Sequence, residues 1–217
     1  MTIGNKRGME LFKRAGALLE GHFRLQSGKD GIHYIAKDLL WQNDYAAMGE
    51  ICDSIATDFF PEDIDAVVGP ESGAVKYAQF VAEALSLMDR QLVYAVKAKK
   101  CLIGEKKFFI EKDDLDLIVG KRVLIVEDVL TTGESVAKVV SLVSKLGGVV
   151  IGVGAVWNRG GVTARDLGVP LLISQITEQF PTFDPGITCP GCCAEIPYDL
   201  KWGHGKNIVY TEMILPE

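Results

Sequence analysis

From about Asp44 to Ser174, short apolar runs rich in β-branched residues alternate with stretches whose apolar side chains recur every three or four positions. The runs Ala66 to Gly69, Gln91 to Val96, Arg122 to Val126, Val149 to Val156 and Leu171 to Ser174 predict five strands. Their nearly continuous apolar character predicts burial on both faces. Between them, Tyr45, Met48, Cys52, Ile55 and Phe59 predict one amphipathic helix, and Val75, Ala78, Ala82 and Leu85 a second. Val136, Val139, Val140, Val143 and Leu146 predict a third, closed by Gly147-Gly148. Regular alternation of strand and helix predicts an α/β domain with an open, mainly parallel five-stranded sheet flanked by helices.

The pattern changes at both ends. Gly8 to Glu20 has helical period and stops at Gly21, and a short ribbon is expected from there to about residue 40. Beyond Phe180, Pro181, Pro185, Pro190 and Pro197 and several glycines interrupt regular structure. The expected organisation is one domain over 1–217, with a core at 41–179 and with 1–40 and 180–217 packed together as a small hood. A chain of 217 residues that is 48% hydrophobic can bury such a core.

Charge and cysteine usage narrow the class. The net charge of −6 argues against nucleic acid or an anionic membrane surface as a partner, so any anion site must be built locally. No apolar run reaches the ~18 residues a membrane span needs, and MTIGNKRGMELFKR lacks the apolar core of a signal peptide. A cytoplasmic protein is expected, and the odd count of five cysteines fits reduced thiols.

The stretch Val123 to Ser135, VLIVEDVLTTGES, carries the chemistry. Glu127 and Asp128 are expected at the solvent-facing carboxyl edge of a strand, where open α/β sheets bind ligands, and can accept hydrogen bonds from vicinal hydroxyls or help organise a metal. Thr131, Thr132, Gly133 and Ser135 offer hydroxyls and backbone N–H groups at a helix N-terminus, which favours a phosphate. Together they imply a sugar phosphate. The loop Gly69 to Gly73, GPESG, opens the preceding helix at Ser72 and is placed for a second phosphate. Each half alone also reads as a plain turn with a helix cap. Neither a P-loop nor a dinucleotide fingerprint occurs, and His22, His33 and His204 lack a nucleophile-elbow context.

Val123 to Ser135 resembles the ribosyl-phosphate signature of the type I phosphoribosyltransferases: four hydrophobic residues, two acidic ones, then a short run to T-T/S-G-x-S/T. The resemblance implies that Glu127 and Asp128 hold the ribose of phosphoribosyl pyrophosphate (PRPP). It assigns the 5′-phosphate to Val129, Leu130, Thr131, Thr132, Gly133, Glu134 and Ser135, and the pyrophosphate to Glu71, Ser72 and Gly73, with Mg²⁺ as cofactor. Lys97 to Lys107 carries five lysines against Glu105 alone, a solvated charge run in the ordinary reading. In the resembling family a mobile loop here closes over pyrophosphate, often from the partner subunit of a homodimer. On that basis Lys97, Lys99 and Lys100 are, with Asp128, the catalytic candidates.

The N-terminal run Gly16 to Ile35 is similar to that of the orotate phosphoribosyltransferases, matching at Phe23, Leu25, Ser27, Gly28 and Tyr34. That likeness implies orotate as the base, read by Arg159 and Tyr34, with orotidine 5′-monophosphate and pyrophosphate as products. The chain departs from that group at Gln26, at His33, at Trp157-Asn158 and in a basic loop without histidine. A purine-base transferase and a non-catalytic PRPP-sensing regulator are the alternatives. FDPGITCPGCC resembles a D-P-x-x-C-P-x-C stretch of some members, and Cys189 and Cys192 have metal-ligand spacing. Cys193 and His204 are the further zinc candidates there, with reduced structural thiols as the other reading.

Overall fold

A computed structural model describes residues 3–101, 107–186 and 188–204. Its first element is helix α1 (Gly4–Arg14), followed by an antiparallel hairpin of β1 (Leu18–Arg24) and β2 (Asp30–Ile35). The expected helix over 8–20 therefore ends six residues early. Gly16, at φ +65°, turns the chain, and Leu18, Leu19 and Glu20 pair with Ile35, Tyr34 and His33. Long-range strand pairing outweighs the local helical period there.

After α2 (Asp38–Asn43), α3 (Tyr45–Phe59) starts at Asp44, whose carboxylate accepts the Ala47 N–H at 3.0 Å. Met48, Ile51, Cys52, Ile55 and Phe59 form its buried stripe, whereas Tyr45 on the first turn is 66% exposed. Then come β3 (Ala66–Pro70), α4 (Ala74–Asp89), β4 (Tyr94–Lys100), β5 (Phe108–Phe109), β6 (Arg122–Leu130), α5 (Glu134–Lys145), β7 (Val149–Asn158), α6 (Ala164–Leu167), β8 (Leu172–Ile176), β9 (Thr182–Phe183) and α7 (Pro190–Cys193).

The main sheet has the order β5-β4-β3-β6-β7-β8. Its five long strands are parallel, as the apolar runs predict, and the two-residue β5 adds an antiparallel edge. One core lies between the sheet and α1, α3 and α4, centred on Phe12, Ile55, Phe59, Tyr77 and Trp157. A second, rich in valine, lies under α5 and α6. Both faces are covered, so the strands need no polar alternation. The two chain ends meet in a small sheet of order β1-β2-β9, joined to the core where His33 stacks on Phe180 at 4.3 Å and Phe180 leans on Trp157 at 5.8 Å. Among the described residues no helix is long and apolar enough to cross a membrane.

The order places a reversal between β3 and β6. The chain leaves β3 outward to β4, then returns across it to β6. The segments after β3 and β6 therefore splay apart and leave a crevice at the carboxyl edge of the sheet.

Candidate active site

That crevice holds a polar cavity of about 310 Å³ lined by residues 70–73 and 127–136, with Gln26 and Lys37 reaching in from the hood side. Glu71, Ser72 and Gly73 thus share one wall system with Glu127 to Ser135, which were grouped by sequence reading on separate grounds. α4 begins at Ala74 rather than at Ser72, so the whole 71–73 segment is loop.

β6 runs through Leu130, four residues beyond its apolar run, and this changes the setting of the carboxylates. Glu127 and Asp128 are buried, 9% and 5% exposed, rather than at a solvent-facing edge. Continued pairing with β7, from Glu127 opposite Ala155 to Leu130 opposite Asn158, carries them inside. Burial, and then the adjacent Asp128, push the Glu127 carboxyl well above the usual carboxylate range. Asp128 Oδ1 accepts the Val129 N–H at 2.6 Å, and its Oδ2 forms an ion pair with Lys37 Nζ. Burial acts against the Lys37 charge, but Asp128 and then Glu127 outweigh it and raise the ammonium above its ordinary value.

Lys37 is the site residue that sequence reading missed. It stands 91 positions from Asp128 in an unremarkable Lys-Asp pair after β2, with no motif to mark it. Gly73 makes its contact possible: a Cβ there would lie 1.8 Å from Asp128 Oδ2 and 1.9 Å from Lys37 Nζ.

The phosphate-loop half has the expected form. Thr131 and Thr132 follow β6, α5 begins at Glu134, and the N–H groups of its first turn, which no helix supplies with partners, belong to residues lining the cavity. Glu134 directs its carboxylate away to Lys138 at 2.6 Å, and its backbone N–H donates to Thr132 Oγ1 at 3.4 Å.

The lysine candidates are placed differently from expectation. Lys97, Lys99 and Lys100 lie on β4, not on a loop, because the strand runs through Lys100 paired with β3 and β5. Lys99 is ion-paired with Glu111, and the Lys100 N–H donates to Glu71 at 2.9 Å. None of the three lines the cavity. Lys106 lies outside the described residues.

Arg159 and Tyr34 also stand outside the cavity lining but come close to each other. Arg159 follows the end of β7, where its N–H donates to the Leu130 carbonyl at 3.0 Å beside the phosphate loop. Asn158 clasps the turn beyond it, donating to the Val162 carbonyl at 2.7 Å and accepting the Val162 N–H at 3.0 Å. Burial lowers the Arg159 guanidinium from its ordinary value, and the Tyr34 hydroxyl opposes that shift. No carboxylate among the described residues pairs with it.

Of the zinc candidates, Cys189 and Cys192 approach each other, but Cys193 and His204 are exposed and do not join them. His204 is held instead by its backbone, which donates to the Arg24 carbonyl at 2.7 Å.

Comparison with known proteins decides the family. The phosphoribosyl transferase domain model matches residues 40–183. The chain belongs to the phosphoribosyltransferase family. This phosphoribosyltransferase is 37% identical over 92% of its length, and 97% of the relative's, to a protein named orotate phosphoribosyltransferase from Caldicellulosiruptor bescii. One of the same name from Thermus thermophilus is 35% identical, with 88% and 97% covered. In fold the transferase is similar to the crystal structure of orotate phosphoribosyltransferase from Aeropyrum pernix, with TM-score 0.61, 24% identity, and 77% and 91% of the two chains covered. It is also similar to adenine phosphoribosyltransferase from Thermoanaerobacter pseudethanolicus, with TM-score 0.59, 20% identity, and 76% and 98% covered. The sheet with its β3–β6 crevice is therefore a phosphoribosyltransferase fold irrespective of the base.

Proposed function

We propose that this phosphoribosyltransferase transfers the ribosyl 5′-phosphate group of PRPP to orotate, giving orotidine 5′-monophosphate and pyrophosphate. The observation that carries the choice of base is Arg159. A half-buried guanidinium with no carboxylate partner among the described residues, clamped beside the phosphate loop and Tyr34, suits an anionic base and would be a poor neighbour for a neutral purine. The relatives at 32–37% identity bear the orotate name, which supports the same reading.

The residues divide the work by chemistry. The α5 N-terminus and Thr131 to Ser135 take the 5′-phosphate. Asp128 and Glu127 accept hydrogen bonds from the ribose hydroxyls, Asp128 exchanging Lys37 for the sugar. Lys37, released, lies next to the negative charge that grows on the departing pyrophosphate, and the backbone of 71–73 faces the same group. Bond breaking at the ribose leaves an oxocarbenium-like ring, which the Asp128 carboxylate stabilises electrostatically, while Glu127, held toward its neutral form, contributes hydrogen bonding. Lys97, Lys99 and Lys100 reach the pyrophosphate from β4, and Lys99 must first leave Glu111.

The oxygen-rich wall fits Mg²⁺, a hard cation that takes carboxylate and phosphate oxygens: Glu71 and Asp128 would supply the protein's share, joined by Glu127 once it gives up its proton. When bound, Mg²⁺ neutralises charge on the pyrophosphate. A homodimer belongs to the reading as well. Leu87, Met88, Leu92 and Tyr94, all exposed around the end of α4 and the start of β4, offer apolar surface to a second copy.

The test is a panel of bases with PRPP and Mg²⁺, scored by pyrophosphate release, on wild type and Arg159→Ala. Orotate should be turned over, and the variant should raise KM for orotate while leaving KM for PRPP nearly unchanged. Hydrogen bonds to a charged group contribute about 1.5–3 kcal/mol, so the rise is roughly tenfold to 150-fold. Turnover of adenine or hypoxanthine without orotate overturns the base assignment. Tight PRPP binding with no base accepted replaces the enzyme by a sensor.

A further inference from the structure

Away from the cleft, the hood gathers four ligand-type side chains from distant parts of the chain: His22 on β1, Asp30 at the start of β2, and Cys189 and Cys192 around α7. We infer that these four bind one zinc ion, which fastens the C-terminal segment to the β1–β2 hairpin.

The four ligand atoms all lie within 4.8 Å of one another, and the separations between them suit one tetrahedral ion. His22 Nε2 lies 3.4 Å from Cys189 Sγ, 3.7 Å from Cys192 Sγ and 3.5 Å from Asp30 Oδ2, and Cys192 Sγ lies 3.4 Å from Asp30 Oδ2. With Zn–S at about 2.3 Å and Zn–N or Zn–O at about 2.0–2.1 Å, tetrahedral coordination sets ligand separations of about 3.3–3.8 Å. His22, Asp30 and Cys189 are almost wholly buried, so the cluster is shielded from water.

The surroundings prepare each ligand. His22 Nδ1 meets the Ile196 carbonyl at 2.7 Å. A carbonyl only accepts, so Nδ1 carries the proton and the bare lone pair of Nε2 points at the other three groups, the arrangement of a metal-ligating histidine. Asp30 is held through Oδ1 by Arg24 Nε at 2.7 Å and through Oδ2 by the Tyr198 hydroxyl at 2.9 Å. The Gly186 N–H donates to Cys192 Sγ at 3.4 Å.

Gly191, inside the Cys-Pro-Gly-Cys turn, explains how α7 reaches the imidazole: a Cβ there would fall 2.5 Å from His22 Cδ2 and Cγ. Charge also closes. Two thiolates and one carboxylate around a divalent ion leave one negative charge, which Arg24 on Asp30 offsets. Two thiolates with an imidazole select a soft, tetrahedral ion, and four protein ligands leave no open position for catalysis, so the site is structural.

Hydrogen bonding alone accounts for the cluster less well. Thiols are weak donors, and Asp30 is already supplied by Arg24 and Tyr198. The inference is independent of which base is transferred.

Elemental analysis of untagged wild-type protein, purified without added metal, should find about one zinc per chain. Stripping with a chelator and refilling with Co²⁺ should give the visible bands of a tetrahedral site with thiolate charge transfer. Mapping with iodoacetamide should show Cys189 and Cys192 protected in the metal-loaded wild type and modified after chelation. These measurements need no variant, so they stand even if Cys189→Ser/Cys192→Ser fails to fold. Where that double variant folds, it should lack zinc, and Cys193→Ser should keep it. Wild-type protein that holds no zinc and takes up neither Zn²⁺ nor Co²⁺ overturns the inference, as does zinc retained by the double variant and lost from Cys193→Ser.

Discussion

Replacing Lys37 by methionine tests how far the cleft depends on the ion pair with Asp128. The substitution keeps the length of the side chain but strands the buried Asp128 carboxylate next to a Glu127 already driven toward its neutral form. Breaking a fully buried pair costs about 3–5 kcal/mol, and exposed pairs contribute about 0.2–1 kcal/mol. The Lys37 side chain is 32% exposed, so the expected loss lies between these limits, at about 2 kcal/mol. For a chain of this size that is a fall in Tm of roughly 4–8 °C. Asp128→Asn should cost somewhat less, because the stranded ammonium can turn to water. The decisive measurement is urea unfolding of both single variants and the double variant without PRPP. Removing both charges together should be little worse than Lys37→Met alone, giving a coupling energy of about 1–2 kcal/mol. Losses that add to within ~0.5 kcal/mol would refute the reasoning, since independent sites behave that way.

Gly73→Ala would push a methyl group into the same pair, and overpacking of about 1–3 kcal/mol should weaken PRPP binding roughly five- to 150-fold by calorimetric titration; unchanged affinity would mean the 71–73 loop moves freely aside. Glu127 gives a pH signature. The folded chain keeps a proton that the unfolded chain releases as pH rises past the ordinary value of 4.5, so stability declines from there toward the raised folded value. Glu127→Gln removes that decline, and the wild type should lose stability relative to the variant as pH rises above 4.5 in urea titrations. Parallel profiles would place Glu127 in water.

What could be read in advance was what neighbouring residues encode. The strand, carboxylates, hydroxyl loop and helix of Val123 to Ser135 are contiguous, so their joint geometry follows from local rules, and the valine stripe of α5 lies where its spacing puts it. Contacts between distant segments carried no such mark. Lys37 reaches Asp128 only because the hood folds over the crevice, and His22 meets Cys189 across 167 positions. Nothing in the sequence joins His22 and Asp30 to Cys189 and Cys192, whereas Cys193 and His204 are their neighbours along the chain. The placement of the β4 lysines is hidden for another reason: lysine disfavours strands in isolation, yet pairing with β3 and β5 carries β4 through Lys100.

The reversal between β3 and β6 also bears on how the protein is made. During synthesis β3 and β4 emerge first and pair, leaving the other side of β3, Ala66-Val67-Val68, as an uncovered apolar edge until Arg122 to Leu130 arrive to occupy it. The two walls of the cleft belong to strands that become neighbours only through that late insertion. A nascent chain short of β6 therefore has a sticky edge and no binding site, and PRPP can stabilise the protein only after the central strand is in place.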